Sequence, residues 1–562
     1  MNQPMEREPA TARFKVFHDL MRTKVEQVLL ISTAYEAWIM EEDCRLSEHI
    51  IHEYRGLNLS HPPRLTWVST TAAALSAIEA SAFDLVIIIS STADAAAGRR
   101  AAAVKARAPQ MPVVLLTHRE SLADVVSPTA TCSAAIDRTI YWTGDAALLL
   151  AIIKIVEDRL NAAHDTRRAG IRIILYVEDS PFYLSTLLPV LYRELVIETQ
   201  AVIDVGLNDE HRLLSMRARP KILLAGDYEE ALNLYETYKD YILGVISDVR
   251  FPRRGNLDGQ AGVDLLQCIR QERFDIPLLL ASAEPHNAVL AEKIPARFMD
   301  KNAPALSDTI RAFLMEELGF GDFCFRRPDG RVIATATNLY SFEKHLAEIP
   351  DDAFEHHCRG NDISRWLYSL AEVDLANQVR QLRSEDFASA AVHRRHLVGL
   401  IRAQRIRRQH GIVVNFDADR FDPDTDFLKI GNGSLGGKAR GLAFMSAMLY
   451  QQADRWSRFE NVDLFVPQTL VITTASFDAF MAANALQAVA KAELSDEAIA
   501  RRFLAAPLPE DLRTQLSAFL THLEGPVAVR SSSLLPDQSP TIGFFTSICR
   551  GVDGRPHQRS QS

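Results

Sequence analysis

The feature that most constrains this chain is a rhythm of short apolar runs without polar alternation, occurring in two successive series. Between 27 and 142, "QVLLIS", "FDLVIIIS", "MPVVLLTH" and "RTIYW" are separated by Ala-rich, helix-favouring sequence, and between 172 and 301 "RIILYVED", "KILLAG", "LGVISDV", "IPLLLASAE" and "ARFMDK" repeat the plan. A strand that is apolar at every position must be covered on both faces, which parallel sheets sandwiched between helices achieve. The sequence therefore predicts an α/β multidomain protein with two doubly wound parallel sheets. Their joint is placed in the polar "EDRLNAAHDTRRAG" at 157–170.

At 562 residues the chain exceeds one core, and about 100–200 residues per domain gives roughly three to five units. From 317 to 412 the sequence becomes charged and helix-favouring and reads as a helical connector. Within it, His356 and His357 are adjacent, point to different sides of a helix, read as a solvated or packed pair and define no site, and "RAQRIRRQH" reads most simply as a solvated helix face, with contact to a phosphorylated or acidic partner as the alternative. The Asp-rich loop "NFDADRFDPDTDF" leads into a Gly-rich unit, so the expected boundaries are 1–165, 166–316, 317–412 and 413–562.

Bulk properties remove several functional classes. Hydrophobic residues at 47% and charged residues at 24% exclude wholesale disorder. A net charge of -10 argues against a nucleic-acid partner, which requires a basic surface. The six cysteines show no paired spacing, which fits a reducing cytoplasm rather than a disulfide framework or zinc site. The amino end "MNQPMEREPATARFK" lacks the apolar core of a signal peptide, and "AALLLAIIKIV" is interrupted by Lys154 and too short to span a bilayer, so no membrane partner is expected.

The chemistry gathers at strand ends. "RIILYVEDSP" closes an apolar strand with Glu178 and Asp179, at the sheet edge where α/β proteins bind ligands. The same residues suit a plain structural role, with Asp179 or Ser180 capping a helix that starts at Pro181. "GVISDVRFP" puts Asp248 at the end of another strand. If the two strands are neighbours, three carboxylates converge; their repulsion demands a cation, and hard oxygen ligands suit magnesium. "LLLASAE" adds Ser282 and "RFMDKN" adds Lys301. Together these are a metal-binding pair, a carboxylate nucleophile, and a hydroxyl and an ammonium able to contact phosphate oxygens.

In this order, over roughly 171–316, the motifs resemble the receiver domain of bacterial response regulators. The resemblance implies a flavodoxin-like fold in which Asp248 is the phosphoacceptor and Glu178, Asp179 and Asp248 hold Mg2+. It further implies Ser282 as switch hydroxyl, Lys301 as phosphate sensor, and Phe298, three residues earlier, as the aromatic switch. A sensor histidine kinase or other phosphodonor and a homodimer through the receiver units are the partners it implies. One departure is the long "YRELVIETQAVIDVGLNDEHRLLSMRARP" between the first two strands. The first unit resembles a degenerate receiver. Ser32 and Thr33 stand where acids should end its first strand, the nucleophile position falls at Ile89 or Ser90, and no lysine follows "TIYW". A structural or dimerising role is expected of it.

"KIGNGSLGGKARGLAFM" at 429–445 sets glycines and Lys438 ahead of an apolar helix, the ingredients of a phosphate cradle. A Walker A loop would need glycine at Asn432 and Ser or Thr at Ala439; a mere loop is the other reading. "VPQTLVITTASFDAFM" and "GPVAVRSSSLLPD" follow as strands ending in hydroxyl-rich turns, Arg530 leaving the second. The three segments together resemble the amino-terminal part of the ATP-grasp domain of phosphoenolpyruvate synthase and pyruvate phosphate dikinase, an α+β nucleotide-binding fold present here only in part. The resemblance implies Lys438 and Arg530 on ATP phosphates and Gly433, Gly436 and Gly437 allowing close backbone approach. Pro536 before Asp537 departs from the acidic residue usual after the "RSS" run. No counterpart of the metal-binding half, the phosphohistidine domain or the enolpyruvate-binding barrel precedes residue 562, so weak ATP binding without turnover is expected. The whole then reads as a phosphorelay protein whose receiver is coupled to a truncated nucleotide-binding module. The alternative is a receiver-regulated phosphotransferase acting on ATP and pyruvate, with its remaining domains on a longer form or partner chain.

Overall fold

The computed structural model describes residues 18–38, 62–90, 95–117, 135–203, 216–409, 413–418, 422–451, 466–490, 494–523, 527–530 and 547–549, with a few isolated positions besides. The first sheet comprises β1 (Gln27–Ile31), β2 (Arg64–Val68), β3 (Leu85–Ser90), β4 (Val113–Thr117) and β5 (Arg138–Tyr141). Its order is β2-β1-β3-β4-β5, and every pairing is parallel. Strand β2 was not among the expected runs, because "RLTWV" is an edge strand with no fully buried residue and lacks the continuous apolar signal.

The second sheet repeats the topology. It contains β6 (Ile173–Val177), β7 (Lys221–Ala225), β8 (Ile242–Asp248), β11 (Leu278–Ser282) and β12 (Arg297–Asp300), with the short hairpin β9 (Phe251–Arg253) and β10 (Asn256–Asp258) inserted after β8. The order β12-β11-β8-β6-β7 is the same plan read from the other edge, again all parallel. All five residues of β6, β7 and β11 are buried, as two-faced coverage demands.

The polar segment read as the joint is the second half of a 24-residue helix, Ala146–Ala169, capped by Asp145 and closed by Gly170 at φ 62°. Glu157, Asp158, Asn161, Asp165 and Thr166 in it are buried, while Arg159, Arg167 and Arg168 stay exposed. The Asp158 carboxylate accepts from the Arg219 guanidinium at 2.7 and 3.0 Å, from the Tyr192 hydroxyl at 2.8 Å and from the Ile222 N–H at 2.9 Å. A buried carboxylate so fully bonded fixes one packing of this helix against β7. Farther along the interface Arg138, on β5, bonds Glu230 at 2.7 and 2.8 Å, and the Tyr141 N–H donates to Ser185 Oγ at 2.7 Å.

The segment after the second sheet is helical and also contains an antiparallel hairpin, β13 (Phe323–Arg326) and β14 (Val332–Ala336), which the sequence did not signal. Phe323, Phe325, Phe342 and Trp366 form its aromatic core, continuous with the apolar core of the α/β units. It is clamped to the second sheet unit where Arg380 meets Asp275 at 2.7 Å and Arg172 stacks on Tyr368 at 3.4 Å. One expectation needs correction here. Arg405, inside the supposedly solvated "RAQRIRRQH", has a side chain only 3% exposed and binds Glu343, Asp422 and Asp424 at 2.8, 2.5 and 2.6 Å. Periodicity alone could not reveal it, because its partners lie in other elements. His357 is buried, with Nδ1 2.7 Å from Asp362 and Nε2 accepting from the Arg326 N–H at 2.7 Å, so both ring nitrogens serve the fold.

The last unit holds a parallel sheet of β15 (Val414–Asn415), β16 (Phe427–Ile430) and β17 (Thr469–Ile472), in that order. Strands β18 (Val527–Val529) and β19 (Ser547–Cys549) pair separately and antiparallel. Among the described residues no helix is long and apolar enough to cross a membrane. The α/β multidomain expectation stands.

Candidate functional site

Because β6 and β8 are adjacent, with Val177 opposite Ser247, the residues that follow in each strand, Glu178 and Asp248, emerge side by side at the carboxyl edge. Asp179 joins them: the three carboxylates each place an oxygen within 4.8 Å of the others. Lys301 follows β12, its backbone N–H held by the Ser282 carbonyl at 2.8 Å. Its ammonium reaches back to Glu178 Oε2 at 2.5 Å and Asp248 Oδ2 at 2.8 Å and lies 4.4 Å from the Tyr183 ring centre. That side chain is 1% exposed.

The charges are unbalanced. Three carboxylates face one ammonium, and burial, reinforced by the Asp248 charge and opposed by Lys301, pushes the Glu178 carboxyl up to about 7. Burial and Asp248 raise Asp179 as well. A buried site that raises its carboxyls in this way, and whose donors are all hard carboxylate oxygens, fits a divalent ion such as Mg2+. The turn after β6 is tied by Glu178, whose Oε1 accepts the Ser180 N–H at 3.1 Å, and the Asp179 carboxylate lies in the cluster.

Ser282 ends β11, buried, with its hydroxyl accepting from the Glu284 N–H at 3.1 Å and Asn287 Nδ2 at 2.9 Å. Phe298 lies opposite Leu280 on β12, half-buried against the second sheet's core. Two neighbours carried no signal in the strand pattern. Asn287 holds the Ser282 hydroxyl, and Gly262 opens the helix Ala261–Glu272 so close to β8 that a Cβ there would meet the Asp248 carbonyl oxygen at 1.8 Å. The "GQAG" before that helix was the available hint.

The corresponding edge of the first sheet gathers no such cluster among the described residues. Ser32 and Thr33 follow β1, and the Thr33 N–H donates to Glu36 at 2.9 Å in a local turn. Strand β3 ends with Ile89 and Ser90.

In the last unit the glycine loop joins β16 to the helix Gly437–Gln451. Gly431, Gly433 and Gly436 take φ of 82°, 112° and 78°, a region side-chain-bearing residues rarely enter. The loop is zipped to the turn after β17. The Ser434 N–H donates to Thr474 Oγ1 at 3.0 Å, the Thr474 N–H returns to the Ser434 carbonyl at 3.0 Å, and Thr473 Oγ1 donates to the carbonyls of Ile430 and Asn432 at 3.0 and 2.9 Å. The turn's hydroxyls thus shape the loop. Gly437 and Lys438 open the helix, with Lys438 exposed. Arg530 is exposed after β18, outside the three-stranded sheet, and among the described residues no hydrogen bond or ion pair joins it to the loop. Pro536 and Asp537 lie outside the described residues.

Residues 432–542 match the model of a family described as "Pyruvate phosphate dikinase, AMP/ATP-binding domain". No curated protein matches the chain. Among solved structures, a putative sugar-binding protein from Salmonella typhimurium LT2 is 12% identical, with 54% of this chain and 89% of that one covered and a TM-score of 0.16. The glucose-galactose-binding protein GanP from Geobacillus stearothermophilus is 11% identical over 56% and 95%, TM-score 0.14. NtrX from Brucella abortus, solved with ADP, is 11% identical over 85% and 99%, TM-score 0.19. Likenesses this weak assign no fold.

Proposed function

We propose that the second α/β unit is a phosphoacceptor receiver and that the unit from 413 is a nucleotide-binding module of the pyruvate phosphate dikinase type, the two joined in one phosphorelay protein. The observation that carries the first part is the three-carboxylate cluster at the carboxyl edge of the β12-β11-β8-β6-β7 sheet, bridged by a buried Lys301. Glu178, Asp179 and Asp248 would hold Mg2+, which screens the charge between an anionic donor and an anionic nucleophile. An Asp248 carboxylate oxygen bonds to phosphorus as the bond to the donor's leaving group breaks, giving an acyl phosphate on Asp248 and the dephosphorylated donor, a histidine kinase or a small acyl phosphate. Lys301, already on Asp248, stays with the new phosphoryl oxygens. The Ser282 hydroxyl leaves Asn287 to donate to them, and Phe298 follows the strand end inward. The first unit, whose described residues gather no carboxylate cluster at its sheet edge, serves as a structural partner of the second.

In the last unit, Gly433, Gly436 and Gly437 bring backbone N–H groups to the phosphates of ATP while Lys438 supplies charge; Arg530 joins them when nucleotide draws β18 to the loop. The match of residues 432–542 also favours a second reading, a receiver-controlled phosphotransferase using ATP and pyruvate. Incubating the chain with acetyl phosphate and magnesium, then separating it on a phosphate-affinity gel, tests the receiver: the wild type shifts, Asp179→Asn shifts weakly, and the claim fails if Asp179→Asn is labelled as fully as wild type. Asparagine caps a helix about as well as aspartate, so a capping role predicts no loss. ATP-dependent phosphorylation of pyruvate that appears only when a longer form or a partner chain is added would support the second reading, and turnover by this chain alone would overturn the expectation of weak binding without turnover.

A further inference from the structure

A cavity of about 460 Å³ lies between the two α/β units, walled by Ile140, Ile152 and Val156 on one side and Leu188, Leu223 and Leu224 on the other. Its size and setting, an aliphatic chamber at a domain interface with few polar groups, are those of small-molecule sites. The polar groups around it are mostly committed to one another. Lys105 is bound to Asp137 at 2.8 Å and Arg138 to Glu230 at 2.7 Å, so these four charges cancel. Arg159 also lines the cavity, on the exposed side of the Ala146–Ala169 helix, and no ion pair joins it among the described residues. Among the described residues the chamber therefore presents largely aliphatic walls, the Gln110 amide and one cation outside an ion pair, Arg159.

We propose that this cavity binds an aliphatic monocarboxylate, its tail among the six wall residues and its carboxylate on Arg159. A single guanidinium matches a single negative charge, and beside it the described lining adds one uncharged polar side chain, the Gln110 amide, and no aromatic ring. A chain of about ten to fourteen carbons suits a pocket in the size range of small-ligand sites. Because the walls belong to both units, the ligand binds only when they are docked, so occupancy tightens β7 and the neighbouring helix Tyr228–Tyr238 on the first unit. This inference stands independently of phosphorylation at Asp248.

The test uses the full chain with dodecanoate and its neutral analogue dodecanol, both below micelle-forming concentrations, followed by calorimetry and by hydrogen exchange of β7. Both probes bind and slow exchange, dodecanoate about three- to fivefold more tightly, the range of one partly exposed ion pair. Arg159→Ala removes that difference and leaves dodecanol affinity unchanged. Leu234→Trp, from a half-buried lining position, plugs the cavity and abolishes binding of both; Leu160→Trp, at the 43% exposed rim, does the same if the first variant fails to fold. Wild type that binds neither probe, a folded plugged variant that binds as wild type, or an Arg159→Ala variant with undiminished preference for dodecanoate overturns the proposal.

Discussion

Glu178→Gln should stabilise the second α/β unit in the absence of divalent metal, and by an amount that depends on pH. An unfolded glutamate titrates near 4.5, whereas burial raises Glu178 to about 7 in the folded unit. Between those values the folded state holds the extra proton, so this group's contribution to stability falls as pH rises from 4.5 to about 7 and stays at its lowest above that. At about 1.4 kcal/mol per pH unit, the span is worth roughly 3 kcal/mol at pH 8 and about 1 kcal/mol at pH 5. Glutamine removes the charge and keeps the shape, while Lys301 retains Asp248 at 2.8 Å. Hydrogen exchange of β6 amides, compared between the two proteins at each pH so that intrinsic rates cancel, reads the difference for openings that expose residue 178. The variant should be more protected by on the order of a hundredfold at pH 8 and by much less at pH 5. Magnesium at pH 8 should close most of the gap by stabilising the wild type. A difference that is flat from pH 5 to 8, or a variant less protected at pH 8, would refute the charge-imbalance argument.

Gly262→Ala forces a Cβ onto the Asp248 carbonyl at 1.8 Å; it should cost about 1–3 kcal/mol by thermal unfolding and reduce phosphate uptake, because backbone must move at the nucleophile. Arg405→Met takes the guanidinium away from Glu343 and Asp422, which are mostly buried, and should cost about 3 kcal/mol in urea unfolding of the region it ties together; a loss below about 1 kcal/mol would mark the network as dispensable. Gly433→Ala must adopt φ 112° with its Cβ 2.9 Å from Thr474 Oγ1, so calorimetry with magnesium ATP should show weakened binding, and unchanged affinity would remove this loop from the nucleotide site.

What the sequence made legible was whatever short-range pattern controls. Unbroken apolar runs identified nine of the ten strands in the two main sheets, and strand-end positions located Glu178, Asp179, Asp248, Ser282 and Lys301 before any geometry was known. The part that stayed hidden depends on partners distant in sequence. "EDRLNAAHDTRRAG" reads only as a polar joint until Arg219 and Tyr192 arrive at Asp158 from elsewhere in the chain. Arg405 looks like one basic residue among several until three carboxylates close around it. Asn287 and Gly262 act through a hydrogen bond and a close backbone approach, neither of which leaves a periodic mark. For the glycine loop the sequence supplied the residues, and the Thr473 and Thr474 contacts show what shapes them.

The central claim is that Asp248 accepts a phosphoryl group, and reductive trapping addresses it at the level of the single bond. After incubation with acetyl phosphate and magnesium, borohydride converts an aspartyl phosphate to homoserine, which peptide mass spectrometry then places in the sequence. The account predicts homoserine at position 248 in the wild type, a marked reduction in Asp179→Asn, and none in Asp248→Asn. Homoserine at another carboxylate with position 248 intact, or no trapping with acetyl phosphate or any histidine kinase offered, would contradict it.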